Sequence, residues 1–169
     1  FKNYNGWSHR GFIVHKFGLW AKEMEFVEDL LRLDIRNNSA WNHRYTVIKN
    51  TKWPLTDVTR QAEIDFTLGA LRRCMGNESA WNYLAAFLGE GESKVPWHTA
   101  VAVEAFCHEV CALAPEREQL CRFAVEGLAR IHEGRGELEE AERHYSTLKE
   151  IDSIRVSYWD WRIAMARKR

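Results

Sequence analysis

A short tryptophan-centred motif occurs three times in this sequence, and the repetition constrains the fold more than any other feature. The three copies are Asn3–Arg10, Asn37–Tyr45 and Gly76–Leu84. Their tryptophans, Trp7, Trp41 and Trp81, stand 34 and then 40 residues apart. A period of this length is typical of stacked helical hairpins, because a single hairpin cannot bury its own apolar face. The motif therefore predicts an all-α fold, a right-handed solenoid or crescent of stacked hairpins similar to a tetratricopeptide superhelix.

Apolar spacing divides the chain into alternating helices of two types. Trp7, Gly11 and Val14 follow the i, i+4, i+7 spacing of a helix face. Such first-type helices are predicted near residues 4–17, 38–50, 78–89, 117–133 and 155–167. Partner helices are predicted within residues 22–34, 57–75, 97–113 and 138–148. Cys121 stands 40 residues beyond Trp81, so we expect it in the tryptophan's place in the fourth copy. The chain, 1–169, is thus predicted as a single helical-repeat domain of four to five repeats.

The charge balance argues against several classes of partner. Lys plus Arg equals Asp plus Glu at 24 each, so no net field favours nucleic acid or an anionic membrane surface. No apolar segment reaches the roughly 18 to 20 residues that span a bilayer. We therefore predict a cytoplasmic protein that binds no nucleic acid and has no membrane span.

The four cysteines show no spacing typical of a zinc finger or a disulfide framework. Cys107 and Cys111 would share a helix face, and with His108 and Cys121 they form the one conceivable zinc cluster. These positions fall where an apolar stripe is expected, and free cysteine there is commonly a small core residue. We favour this structural interpretation and predict no metal site in the chain.

The sequence contains no catalytic motif of its own, such as a glycine-rich phosphate loop, HExxH or G-x-S-x-G. Trp7, Trp41 and Trp81 are interpreted as core residues that lock adjacent helices together. Arg10 and Arg44 stand three residues beyond the first two of these tryptophans, on nearly the same helix face. An arginine beside an apolar stripe predicts a bidentate carboxylate partner, either in the next repeat or on another subunit.

Three strings carry a resemblance to a known family. They are Lys2-Asn3-Tyr4 with Trp7 and Arg10, Arg36-Asn37-Asn38-Ser39 with Trp41 and Arg44, and Asn77–Leu84. They resemble the repeats of protein prenyltransferase α subunits, and most closely the subunit shared by protein farnesyltransferase and type I geranylgeranyltransferase. The match is specific over residues 2 to about 84 and weaker beyond. By register, Lys2-Asn3-Tyr4 matches the later of two successive family motifs, so the resemblance implies a chain truncated at its N-terminus.

The resemblance implies the α subunit of a heterodimer that is inactive without its β subunit. Such an enzyme transfers a farnesyl or geranylgeranyl group from its diphosphate to the cysteine of a C-terminal CaaX sequence. The resemblance assigns the catalytic zinc to the β subunit, with magnesium as a second candidate ion. It also places Lys2, Asn3 and Tyr4 beside the prenyl diphosphate, where a cation and phenol or amide donors stabilise charge on the leaving group.

Two alternatives stay open. A non-enzymatic tetratricopeptide-like scaffold would bind peptides on its concave surface, and Gly136–Tyr145 suits that interpretation, although a 40-residue spacing differs from the 34-residue tetratricopeptide period. The α subunit of Rab geranylgeranyltransferase shares the tryptophan-and-arginine skeleton but resembles the three strings less.

Overall fold

The structure is a computed structural model that describes residues 4–52, 54–91 and 94–168, with only the backbone of residue 4. Two compact units divide the chain, Phe1–Phe87 and Leu88–Arg169. Each unit is built from helices that pack against one another. The prediction of one domain over the whole chain stays a prediction.

The first unit alternates first-type and partner helices. Its helices are α1 (Tyr4–Phe17), α2 (Glu23–Leu33), α3 (Asn38–Thr51), α4 (Asp57–Arg73) and α5 (Glu78–Phe87), with a 3-10 turn at Trp20–Lys22. Helix α2 packs on α3, α4 packs on α5, and α3 also contacts α5. Stacking of this kind gives each amphipathic helix an apolar neighbour on its buried side.

The second unit continues the same alternation. Its helices are α6 (Val101–Ala112), α7 (Arg122–Arg135), α8 (Leu138–Ile151) and α9 (Val156–Ala166), with 3-10 turns at Trp97–Thr99, Arg117–Gln119 and Ser153–Arg155. Each helix packs on the next. Within the described residues the only β pairing is an isolated bridge between Leu88 and Val95. The predicted all-α class of helical hairpins is confirmed.

The turn before each motif is fixed by its own polar groups. Asn37 caps α3, because its side-chain oxygen accepts from the Ala40 N–H at 3.3 Å. The Ile35 carbonyl accepts from the Trp41 indole N–H at 2.8 Å and from the Asn77 amide at 2.7 Å. One carbonyl therefore ties the turn before α3 to the turn before α5. This contact locks two successive repeats in register.

Several helices differ from their predicted bounds. Helix α6 begins at Val101 rather than near residue 97, because Trp97–Thr99 form a separate 3-10 turn. Helix α7 begins at Arg122 rather than near residue 117, because Arg117–Gln119 form a separate 3-10 turn. Helix α5 ends at Phe87, before Gly89, whose φ of 137° is incompatible with continued helix.

The expectation that Cys121 takes the tryptophan's place is wrong. Cys121 is the N-cap residue of α7, and its carbonyl accepts from the Val125 N–H at 3.1 Å. Before α3, the Asn37 carbonyl accepts from the Trp41 N–H at 3.2 Å in the same way. Val125 is therefore the equivalent of the tryptophan. The extra 3-10 turn ahead of α7 displaces the register by four residues.

Each unit has its own apolar core. In the first unit, Trp41 and Trp81 are 1% and 5% exposed. In the second, the core cluster is made of Val125, Ala129, Ala141, Tyr145, Leu148 and Trp159. Trp41, Trp81 and Trp159 are thus core residues, whereas Trp7, which was predicted as a core residue, is only half-buried.

Gly127 lies where α7 approaches α6 closely. A Cβ added at Gly127 would lie 2.8 Å from the Cys107 sulfur, which is itself fully buried. Glycine normally weakens a helix interior, so its presence here follows from this close packing.

We expect Gly127→Ala to destabilise the chain by about 1–3 kcal/mol, because the added methyl group overpacks the α6–α7 contact. Gly69→Ala in α4 is the matched control, since a Cβ added at Gly69 would meet nothing within 4 Å. That control should gain about 0.5–1 kcal/mol from helix propensity. Urea unfolding measures both. Equal effects of the two substitutions would contradict the overpacking argument, and Cys107→Ala should partly rescue Gly127→Ala.

Candidate functional site

Of the three residues predicted beside the prenyl diphosphate, the structure describes only the backbone of Tyr4. Lys2 and Asn3 fall outside the described residues. Tyr4 is the first residue of α1, one turn before Trp7. The structure places the other predicted residues, Arg10, Trp41, Arg44 and Trp81 together with Trp7, along α1, α3 and α5.

The predicted carboxylate partner of Arg10 is Glu23, at the start of α2. The Arg10 guanidinium donates two hydrogen bonds to Glu23, from Nε at 2.9 Å and from Nη2 at 2.7 Å. His43 on α3 contacts the same carboxylate, with 2.6 Å between Nε2 and Oε2. Glu23 is 4% exposed and His43 is 7% exposed. Three successive helices therefore meet at one buried carboxylate.

Aromatic rings surround this first network. The Trp7 ring lies 5.3 Å from the His43 ring and 6.1 Å from the Phe26 ring, measured between centroids. The Arg10 guanidinium carbon stands 3.4 Å above the Phe26 centroid. The cation is thus held both by a carboxylate and by an aromatic face.

The second network repeats the first on the next three helices. Arg44 donates to Glu63 from Nε at 2.7 Å and from Nη2 at 3.1 Å. The Tyr83 hydroxyl on α5 donates to the same carboxylate at 2.7 Å. Arg44 also donates to Glu28 at 3.0 Å and stands 3.7 Å above the Phe66 ring. Both arginines therefore find their partner on the helix that follows within this chain.

The surroundings of Glu23 keep it ionised. Burial alone would raise its pKa, but hydrogen bonds from Arg10 and His43 outweigh burial and the pKa is lowered. A buried carboxylate is tolerated when its lone pairs are filled in this way.

In the second network, the pKa shifts favour a charged Arg44 and a neutral Tyr83. Burial would lower the pKa of Arg44, but the hydrogen bond and charge of Glu63 raise it. Burial, followed by the charge of Glu63, raises the pKa of Tyr83. The phenol therefore stays protonated and acts as a donor to the carboxylate.

A related network lies in the second unit. Arg162 stands three residues beyond Trp159, as Arg44 does beyond Trp41. Arg162 donates to Glu133 and, at 2.6 Å, to the Tyr145 hydroxyl, which itself donates to Glu133 at 2.6 Å. The arginine, the carboxylate and the phenol are the same three groups as in the second network, although here the carboxylate comes from the first-type helix α7.

The sequence does contain a pattern that identifies the two carboxylates, but the pattern is counted from the next tryptophan and not from each arginine. Glu23 and Glu63 each stand 18 residues before the next motif's tryptophan, and each is followed three residues later by phenylalanine. The ring donors, His43 and Tyr83, each stand two residues after that tryptophan. The full repeat signature therefore joins Trp-x-x-Arg, Glu-x-x-Phe and a ring donor.

A cavity of about 660 Å³ opens in the second unit beside α7. It is lined by Trp97, His98 and the guanidinium groups of Arg130, Arg135 and Arg162. Each guanidinium is bound to a carboxylate; the partners are Glu126, Glu104 and Glu133 respectively. The cavity wall is therefore balanced in charge rather than strongly cationic.

Cys107, His108, Cys111 and Cys121 are not arranged as a set of metal ligands. Across residues 4–52, 54–91 and 94–168, no group of three or more His, Cys, Asp or Glu side chains is arranged to hold a metal ion. Burial raises the pKa of the Cys107 thiol, and raises that of Cys111 to about 11. Burial therefore disfavours the thiolate form of both side chains in the metal-free chain.

In the part of the chain that the structure describes, no helix combines the length and apolar character needed to cross a bilayer.

Comparison with known proteins identifies the repeat. The family model described as "Protein prenyltransferase alpha subunit repeat" matches residues 20–51 and 60–90. Those ranges contain both buried carboxylates, Glu23 and Glu63, and both ring donors, His43 and Tyr83.

Relatives extend the likeness over most of the chain. It is 32% identical over 167 residues to the protein farnesyltransferase/geranylgeranyltransferase type-1 subunit alpha of Arabidopsis thaliana, covering 86% of this chain and 49% of that protein. It is 29% identical over 89 residues to the geranylgeranyl transferase type-2 subunit alpha of Sus scrofa, covering 52% of this chain and 15% of that protein. The chain thus spans about half the length of the Arabidopsis relative.

A solved structure supports the same relationship. The chain is similar to a chain in the structure of Candida albicans protein geranylgeranyltransferase-I complexed with GGPP. The TM-score is 0.82 at 31% sequence identity, covering 98% of this chain and 54% of that one. With its repeated tryptophan motif, its helical hairpins and these matches, the chain belongs to the protein prenyltransferase α subunit repeat family.

Proposed function

We propose that this chain is part of the α subunit of a heterodimeric protein farnesyltransferase or type I geranylgeranyltransferase. The observation that carries the proposal is the match to the type-1 subunit alpha, which runs through 86% of this chain. The match to a type-2 subunit alpha covers 52%. The longer match favours type I over the Rab-directed enzyme.

The proposed reaction transfers a farnesyl or geranylgeranyl group from its diphosphate to the cysteine of a C-terminal CaaX sequence. The stacked helices would supply the surface that holds the β subunit. Lys2, Asn3 and Tyr4 would face the prenyl diphosphate, where negative charge grows as the leaving group departs. An ammonium and a phenol O–H placed there stabilise that charge more in the transition state than in the ground state.

Zinc is assigned to the β subunit in this proposal. A zinc ion there would hold the substrate cysteine as a thiolate nucleophile at neutral pH. Among the described residues no set of donors is arranged to fit zinc, and Cys107 lies in a packed core. No step of the reaction is therefore assigned to a metal bound by this chain.

Assembly tests the proposal directly. Co-expressed with candidate β subunits, the chain should form a one-to-one complex with a farnesyltransferase or type I β subunit, and its thermal midpoint should rise because the partner binds only the folded form. Light scattering and thermal melts measure both effects. A sharply cooperative melt that no β subunit changes would instead favour a self-sufficient peptide-binding scaffold.

The proposed diphosphate contacts predict a specific kinetic defect. In the assembled enzyme, Tyr4→Phe and Lys2→Ala should each slow the chemical step by about tenfold to a hundredfold, since each factor of ten corresponds to about 1.4 kcal/mol of transition-state stabilisation. The affinity for the CaaX peptide should hardly change. Single-turnover rates equal to the parent with both residues changed would remove them from the site.

The metal assignment makes a separate prediction. After extensive dialysis, the isolated chain should retain no stoichiometric zinc, and zinc should appear only once the β subunit is bound. Elemental analysis of both samples decides the matter. One tightly held zinc per isolated chain would restore the cluster of Cys107, His108, Cys111 and Cys121 as a site.

A further inference from the structure

Helix α1 buries little of its own apolar surface. Among its described side chains, Val14 is the one that is nearly inaccessible, at 4% exposure. Phe12 and Phe17 are 58% and 61% exposed. By contrast, α3 buries Ala40, Trp41, His43, Arg44, Val47 and Ile48. The orientation of α1 therefore depends on fewer contacts than that of α3.

Five side chains on α1, α2 and α3 contact one another around the Glu23 carboxylate, and we name them the α1 clamp. They are Trp7 and Arg10 on α1, Glu23 and Phe26 on α2, and His43 on α3. Through the clamp, Arg10 is bound by the Glu23 carboxylate and stands over the Phe26 ring. The Trp7 ring lies beside the His43 ring at 5.3 Å.

We infer that the α1 clamp is a positioning device for the first turn of α1, and that His43 is its key positioning residue. The inference rests on the proposed function, because that turn begins at Tyr4 and would face the prenyl diphosphate. Trp7 and Arg10 stand one and two turns beyond Tyr4, so the clamp fixes the helix close to the proposed contact.

His43 is singled out because it joins both kinds of contact. Its imidazole reaches Glu23 at 2.6 Å and lies beside Trp7, so it links α3 to α2 by a hydrogen bond and to α1 by a ring contact. Removing its hydrogen bond leaves Glu23 held by Arg10 alone, and Arg10 is itself 36% exposed. A displacement of about 1 Å at a reacting group can cost about a hundredfold in rate.

The second network supplies a matched control and a rescue. Tyr83 occupies the position of His43 and donates to Glu63 at 2.7 Å, with the Trp41 ring 5.1 Å away. Tyrosine therefore satisfies the same carboxylate in the same surroundings. Tyr83→Phe removes the equivalent hydrogen bond from a network that includes no residue of α1.

The kinetic experiment compares His43→Phe, His43→Tyr and Tyr83→Phe in the complex with the β subunit. His43→Phe should lower the single-turnover rate or raise the KM for prenyl diphosphate by about tenfold. The KM for the CaaX peptide should stay within about twofold of the parent. His43→Tyr should recover most of the loss, and Tyr83→Phe should lower the melting temperature without the kinetic defect. Equal kinetic defects in both Phe variants, or no recovery in His43→Tyr, would overturn the inference.

Hydrogen exchange separates this inference from the proposed function. His43→Phe should speed amide exchange across residues 4–17 by about tenfold, while Tyr83→Phe should leave that segment unchanged. Faster exchange in a chain that transfers no prenyl group with any β subunit would retain the clamp and reject the enzyme assignment. Unchanged exchange in α1 would reject the clamp whatever the activity.

Discussion

A buried carboxylate that needs hydrogen-bond donors from two other helices fixes the stacking of these helices. Glu23 and Glu63 are 4% and 3% exposed, and an ion so far from water is destabilising unless its lone pairs are filled. An arginine from the preceding helix and a ring donor from the following helix fill them. Three successive helices must therefore be in register before the charge is compensated. Apolar packing alone is tolerant of small slips, whereas this arrangement is not.

Later in the sequence, the arginine, the carboxylate and the ring donor of this network are replaced by apolar or small residues. Leu84 stands three residues beyond Trp81, as Arg44 does beyond Trp41, and Val103 stands 40 residues beyond Glu63. Gly127 stands two residues beyond Val125, as Tyr83 does beyond Trp81, and all three residues are buried. All three polar groups are missing together. Because removing one partner of a buried ion pair leaves an uncompensated charge, a complete replacement by apolar or small residues is less costly than a partial one. The close approach at Gly127 is one result of this change.

The fold could be read from the sequence because its signals are local. Each Trp-x-x-Arg lies within one helical turn, and the repeat period identifies hairpins. The carboxylate partners were missed because Glu23 and Glu63 lie 13 and 19 residues beyond their arginines. Only alignment on the next tryptophan gives them a common position. The register error at Cys121 has a different cause, since a loop with its own 3-10 turn changes length without changing the helix pattern.

The two networks contribute differently to holding their helices in position. Around Glu63, helix α3 is also held by the buried side chains of Trp41 and Ile48, so the ion pair adds specificity to a helix that is already fixed. Around Glu23, Val14 is the one described side chain of helix α1 that is nearly inaccessible, so the α1 clamp contributes a larger share of what holds this helix. Interactions that share a partner are not additive, so the importance of each depends on what else holds the element. Two sets of contacts with nearly identical distances can thus reinforce a helix that is already fixed in one repeat and be a main attachment of the helix in another.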